Sequence, residues 1–215
     1  MTDVIDRLTQ DLKPVKPLDA RLLWAGGGVF LLVAAAFVVL VYGARVEIVY
    51  LLHGITVNAM VYIKPLIFLV CGLSALWAVA GLTRPEGRVK LRYLLPVLAV
   101  AGGMFGGLMS ELARNGTAHL ANQLNGGAPT CFLTILIGGL IGLALLWRFW
   151  LSRAATSHPV ALGAMSGLAA SSLMAAAYAL HCVMDAPVYI FAVYAVAVGL
   201  FTGVAALLGG RMLKW

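Results

Sequence analysis

The sequence predicts an all-α integral membrane protein with six transmembrane helices and both termini in the cytoplasm. Of its 215 residues, 62% are hydrophobic and only 11% are charged, whereas a soluble domain is about 45–50% apolar and about 25% charged. The apolar residues fall into six runs, each long enough to cross a hydrocarbon core of about 30 Å as a helix. These observations exclude a soluble globular enzyme and a disordered protein.

The predicted transmembrane domain covers residues 22–215 and follows a mixed-charge segment at 1–21. That segment lacks the pattern of a secretory signal, a short basic stretch followed by a short apolar one, so the first span is expected to remain in the mature protein. The six spans are expected at roughly 22–42, 65–82, 93–111, 132–151, 159–180 and 187–210.

The distribution of basic residues predicts the orientation. Twelve of the 15 Lys and Arg residues lie before the first span, after the second and fourth spans, and at the C-terminus. The other side holds only Arg45, Lys64 and Arg114. Because Lys and Arg are enriched in cytoplasmic loops, both termini are predicted to be cytoplasmic.

Glycines recur at a spacing of four within several spans. The pairs are Gly102 and Gly106, Gly103 and Gly107, Gly138 and Gly142, Gly163 and Gly167, and Gly199 and Gly203. This spacing puts two small residues on one helix face, where the backbones of two helices can approach. It predicts close packing within the bundle, and it leaves open a homo-oligomer built on one of these faces.

Few ionisable residues are expected at membrane depth. Lys64 and Glu111 lie at the ends of predicted spans, where a snorkelling side chain reaches water. The four histidines fall in loops or at helix ends, which argues against haem bound between facing helices. Because the chain carries no Ser-His-Asp set, HExxH or phosphate loop, we predict a non-enzymatic protein without a cofactor.

Two of the three cysteines are predicted to meet at the non-cytoplasmic surface. Cys131 lies where the third loop meets the start of span 4, and Cys182 lies between spans 5 and 6, whereas Cys71 lies within span 2. The pair could form a disulfide in an oxidising compartment, or bind a soft metal ion together with His181. The alternative is that both cysteines are small apolar packing residues or form a static structural disulfide. Asp185 is expected to cap the last span, with Pro187 in its first turn.

The N-terminal segment is predicted to form a short amphipathic helix over residues 3–12. Its apolar residues, Val4, Ile5, Leu8 and Leu12, recur at helical spacing. A helix this short needs a partner surface. Its polar face carries Asp6 and Asp11, which disfavours anionic lipid and favours a basic protein partner, although packing under the bundle remains the alternative.

Several of these motifs resemble those of the NrsF family of six-span inner-membrane anti-sigma factors. The likeness covers nearly the whole chain. The matching residues are Ile5-Asp6-x-Leu8-x-x-Asp11-Leu12-x-Pro14-Val15, Arg84-Pro85-x-Gly87, Cys131, Gly163-x-x-x-Gly167-Leu168-Ala169, Tyr178-Ala179-Leu180-His181-Cys182, Tyr194, Gly209-Gly210-Arg211 and Leu213-Lys214-Trp215. After Cys182 the chain has Val183-Met184, where the family commonly has Pro-Glu.

The resemblance implies a regulator that holds an extracytoplasmic-function (ECF) sigma factor at the membrane until heavy-metal or oxidative stress reaches two cysteines. Carried over, Cys131 and Cys182 match the sensing pair, with His181 and Asp185 as supporting residues. The sigma-binding residues would be Ile5, Asp6, Leu8, Asp11 and Leu12. The expected partners are an ECF sigma factor and the lipid bilayer, without direct contact to nucleic acid.

Two other classes stay open at this point. One is a small transporter or channel whose mouth the cysteines guard. The other is an assembly subunit of a larger membrane complex. The scarcity of charge within the spans argues against a transporter.

Overall fold

The computed structural model describes residues 18–84, 86–124 and 127–213, with the side chains of 117–124 left aside. All regular structure in these ranges is helical, which confirms the predicted all-α class. Six helices are long and apolar enough to cross a membrane. The predicted N-terminal helix, residues 3–12, lies outside the described residues.

The helices follow one another along the chain with short connections. They are α1 (Ala20–Tyr42), α2 (Val46–Leu52), α3 (Met60–Leu82), α4 (Leu91–Leu124, broken at Gly116), α5 (Ala128–Phe149), α6 (Pro159–Tyr178) and α7 (Pro187–Met212). All except α2 are candidate spans. The connection 43–59, the first turn of α5 and the loop 179–186 meet at one end of the bundle, which we call the cysteine end.

Helix α6 forms the centre of the bundle. In its apolar stretch 78% of the residues are buried, against 11% in α1 and 6% in α4. Its sequence is rich in Ala, Gly and Ser, so neighbouring backbones can come close. Its Ser166 and Ser171 hydroxyls donate to carbonyl oxygens one turn earlier, at 2.7 Å, and this satisfies polar groups that lipid cannot.

Two of the predicted glycine pairs pack inside the bundle. Gly163 and Gly167 lie against α7, where an added Cβ would collide with Ala205. Gly138 and Gly142 lie against Met174 and Phe30. By contrast, Gly102, Gly103, Gly106, Gly199 and Gly203 face open space. An added Cβ at Gly107 would lie 3.2 Å from Pro187, so this glycine packs on the start of α7. The spacing therefore predicted helix packing correctly for two pairs and for Gly107, but the other predicted glycines pack on nothing within the described chain.

The start of α7 departs from regular α-helix. A first α-turn, Pro187–Tyr189, is followed by π-helix over Ile190–Ala195, and α-helix resumes at Val196. The predicted cap by Asp185 is wrong, because Ala186 is the N-cap residue and has no side-chain bond to the helix. Instead, the backbone N–H of Val188 donates to the Glu111 carboxylate at 2.6 Å.

The structure also corrects the prediction for Lys64. Helix α3 begins at Met60, so Lys64 lies inside it, and its side chain is 0% exposed rather than reaching towards water. Its ammonium points instead into the loop 179–186, because that loop supplies the acceptors that water would otherwise supply.

Candidate functional site: a buried thiol pair

The cysteine end contains two sulfur atoms in contact. Cys131 lies in the first turn of α5 and Cys182 in the loop 179–186. Their Sγ atoms are 3.9 Å apart, although the residues are 51 positions apart in sequence. Both are free thiols and each residue is 5% exposed. Cys71, also free and buried, lies in the body of α3.

Three buried tyrosines surround the thiol pair. The Tyr189 hydroxyl is 3.0 Å from Cys131 Sγ, and the hydroxyls of Tyr178 and Tyr194 face Cys131 and Cys182 respectively. None of the three tyrosines is more than 2% exposed. The pair therefore lies in a small compartment of phenol groups, closed to bulk water.

The π-helical turn explains why two tyrosines from one helix reach the pair. Tyr189 and Tyr194 are five residues apart, and in a regular α-helix such residues point roughly 140° apart. In a π-helix five residues make up about one hydrogen-bonded turn. Both rings therefore face the same side, with centroids 6.5 Å apart. π-helical turns of this kind occur often at functional sites.

Two buried cations hold the loop that carries Cys182. Lys64 Nζ donates to the carbonyl oxygens of Cys182 at 2.9 Å and Met184 at 2.8 Å, and it pairs with Asp185 at 3.4 Å. Arg45, 4% exposed, donates to the Asp185 carboxylate at 2.8 and 3.1 Å and to the Cys182 carbonyl at 3.3 Å. We call Lys64, Arg45 and Asp185 the clasp.

The environment of Cys182 favours its thiolate. The hydrogen bond with the Cys131 thiol lowers the pKa of Cys182 below its ordinary value, and the positive charge of Lys64 lowers this pKa further. Burial acts in the opposite direction but is outweighed. Since the thiolate is the nucleophile and the metal ligand, we expect Cys182 rather than Cys131 to supply the attacking sulfur.

The structure does not add His181 to the sulfur pair. Its Nδ1 lies 2.9 Å from the Gly43 carbonyl oxygen, and its ring packs against Tyr42 and Tyr178. Among the described residues, no group of three or more His, Cys, Asp or Glu side chains could hold a metal ion. Asp185, the other supporting residue expected from the sequence, does lie beside the pair, as the anion of the clasp.

Sequence reasoning missed most of what surrounds the sulfurs. Lys64 stands at the margin of an apolar run, a position that usually indicates an interfacial residue. Of the α7 tyrosines, Tyr194 was named only as part of the family resemblance. Tyr189 gave no signal, because a five-residue spacing does not put two residues on one face of an α-helix. A cluster of two cations and one acid could have been suspected only if the loops 43–59 and 179–186 were known to meet.

Comparison with protein families identifies the chain. The family model for NrsF, described as negative regulator of sigma F, matches residues 8–215. The chain belongs to the NrsF family. No curated protein and no solved structure matches it. The match includes Leu8, Asp11 and Leu12 of the expected sigma contact, whereas Ile5 and Asp6 precede it.

Membership of the NrsF family indicates that the protein acts as a regulator. A negative regulator of a sigma factor has a sigma factor as its partner, and the name describes a regulator rather than a catalyst. Six apolar helices are compatible with a multi-pass membrane protein.

Proposed function

We propose that this chain is an anti-sigma factor of the bacterial inner membrane. It holds an ECF sigma factor in the cytoplasm and releases it when Cys131 and Cys182 react with an oxidant or a soft metal ion. The observation that carries the proposal is the 3.9 Å contact between two free thiols from distant parts of an NrsF-family chain.

The proposed orientation puts both termini in the cytoplasm and the thiol pair at the periplasmic surface. It rests on the excess of Lys and Arg at the end of the bundle opposite the cysteines. The exposed loop residues Arg84, Arg88 and Lys90 belong to that basic end. This arrangement separates the site that receives the signal from the site that binds sigma by the thickness of the membrane.

The proposed sigma contact comprises Ile5, Asp6, Leu8, Asp11 and Leu12 of the N-terminal segment, of which the apolar Ile5, Leu8 and Leu12 form one stripe. An amphipathic helix of this length gains stability by laying its apolar side in a groove of a partner. Its acidic residues would then face basic groups on the sigma factor. The basic loop 84–92 is a second candidate contact on the same side.

The chemical event is closure of the sulfur pair. In oxidation the two thiols lose two protons and two electrons to the oxidant, and one S–S bond of about 2.05 Å replaces the contact. Alternatively, both sulfurs lose their protons and bind one soft cation. Either event ties the first turn of α5 to the loop between α6 and α7. It therefore changes the packing around the central helix, and through it the cytoplasmic end.

The energies set the expected size of the response. A shift of a two-state population from 1:99 to 99:1 needs about 5.5 kcal/mol of differential stabilisation. A disulfide typically supplies about 2–4 kcal/mol. Oxidation alone is therefore expected to release part of the bound sigma factor rather than all of it.

Co-purification from detergent with candidate ECF sigma factors tests the proposal. The native chain is expected to bring down one sigma factor, and a Leu8→Asp, Leu12→Asp variant is expected to lose it. A Thr2→Asp, Gln10→Asp variant adds the same charge away from the stripe and is expected to retain binding. Binding that survives the first variant would move the contact to the loop 84–92. Absence of binding with every sigma factor tried would contradict the proposal.

A further inference from the structure

The loop that carries Cys182 is held in place mainly by side chains from other parts of the chain. Residues 182–186 form no helix or turn, and the Cys182 N–H donates to the Tyr178 carbonyl oxygen at 3.2 Å. Cys131, by contrast, is fixed within α5. The distance between the two sulfurs therefore depends on what fixes the loop.

Lys64 directs all its hydrogen-bonding capacity at that loop. An ammonium carries three donors and no acceptor, and the three acceptors found are the carbonyl oxygens of Cys182 and Met184 and one carboxylate oxygen of Asp185. The side chain is 0% exposed, so water cannot replace these partners. A buried ammonium is retained only where acceptors of this kind are supplied.

Arg45 approaches the same loop from the connection between α1 and α2. It shares with Lys64 both the Cys182 carbonyl oxygen and the Asp185 carboxylate. Its backbone N–H donates to the Leu180 carbonyl oxygen at 3.0 Å. Two cations, one from α3 and one from the connection before α2, thus converge on the carbonyl of the residue that carries the sulfur.

We propose that Lys64 is the positioning residue of the thiol pair: by holding the backbone of Cys182 it keeps the two sulfurs in contact, so that they close to a disulfide quickly. Arg45 and Asp185 complete the clasp by fixing the rest of the loop. This inference rests on the proposed role of the pair, but it concerns the geometry of closure and not the binding of sigma.

The rate of disulfide closure in the purified full-length protein tests this role. The probe is diamide, whose N=N bond takes up two electrons and two protons from the two thiols and becomes a hydrazine as the S–S bond forms. A Cys71→Ser background leaves only the pair, and unreacted thiols are counted by mass after trapping with maleimide. Lys64→Met is expected to slow closure roughly ten-fold or more, because an effective concentration set by position is lost.

Two further variants distinguish positioning from a general effect on folding. Lys64→Arg keeps donors for the carbonyl oxygens and is expected to restore most of the native rate. Lys90→Met removes an exposed cation at the far end of the bundle and is expected to close at the native rate. A Lys64→Met protein with unchanged elution and Tm that closes as fast as the native chain would overturn the inference.

If the Lys64→Met protein does not fold, the Asp185→Asn variant tests the same inference. It preserves size and removes the anion that both cations share, so closure is expected to slow several-fold; a native rate would overturn the inference. The outcome is separable from that of the proposed function. If oxidised native protein keeps its sigma factor while Lys64→Met closes slowly, the proposed function fails and the positioning role stands.

Discussion

The role of Lys64 could be assigned only after its neighbours in the fold were known. Lys64 lies seven positions before Cys71 on α3, and from sequence it looks like the polar margin of an apolar run. In the fold, its ammonium lies over the Tyr194 ring at 4.9 Å as well as against the Cys182 loop. A cation in such a place is stabilised by carbonyl dipoles, a carboxylate and a π face together.

The pH dependence of alkylation reports the state of Cys182. Because its pKa is lowered, its thiolate is already present at neutral pH and its reactivity should not rise further with pH. We expect the iodoacetamide rate at Cys182 to change less than about two-fold between pH 7 and 8.5, whereas an ordinary thiol of pKa about 8.5 gains more than ten-fold. Mass spectrometry of quenched samples from a Cys71→Ser chain measures this rate.

The Cys131→Ala variant, which leaves no donor at position 131, is the control for that measurement. Cys131 supplies the largest contribution to the lowered pKa of Cys182, so its removal is expected to return a rate that climbs with pH. A steep profile in the chain that retains Cys131 would show that the Cys182 thiol is protonated at neutral pH, contrary to the expectation.

At the scale of the element, the π-helical turn of α7 aligns Tyr189 with Tyr194. One extra residue within the turn creates this alignment. Deletion of Ala192 would put the two tyrosines four apart in regular α-helix, again on one face. Insertion of one Ala after Ala192 would separate them by six positions and rotate one ring away from the sulfurs.

We therefore expect the deletion to be tolerated better than the insertion. The insertion removes a buried aromatic ring from its site and should cost about 3 kcal/mol or more of unfolding free energy. The deletion should cost clearly less. Thermal unfolding in detergent compares the two chains, and equal losses would argue that the turn has no role in aligning the rings.

The sequence predicted the elements better than their arrangement. The six spans were found because a backbone in lipid must satisfy its own hydrogen bonds, so apolar length alone marks a helix. The same constraint says nothing about which helix is central. Helix α6 has a mean hydropathy of 1.6, whereas α1 reaches 2.4, yet α6 is the buried one because its small side chains admit neighbours. The meeting of Cys131 with Cys182 followed from topology, but the clasp did not.

For the whole molecule, the proposed function requires a signal to travel from the cysteine end to the opposite end. The loop 179–186 joins α6 to α7, and α5 packs on α6. Helices α6 and α7 in turn pack closely on each other through Gly163, Gly167 and Gly209. Packed helices with little free space shift as units rather than deform. A tie between the sulfurs is thus expected to reach the far end as a movement of helices.

Replacement of both Cys131 and Cys182 by Ser should abolish that response. Sigma binding is expected to remain at the native level, because the proposed orientation puts the thiols and the sigma contact on opposite sides of the membrane, while release by diamide or by Cd²⁺ should be lost. The measurement is the amount of sigma factor retained on the immobilised chain before and after treatment. Cys71→Ser serves as the matched control and should respond as the native chain does. Full release from the double variant would show that the pair is not the sensor.

The central position of α6 also has a consequence for biogenesis. Helices α1, α3 and α5 all pack on α6, but the ribosome makes each of them before it. They must therefore wait in the bilayer with their inner faces turned to lipid until the fifth span is inserted. The small residues that let α6 occupy the centre of the bundle also lower its mean hydropathy to 1.6, so it is one of the less hydrophobic spans to be inserted by the translocon. Chains that end before Pro159 should consequently remain unassembled in the membrane and be removed by proteolysis.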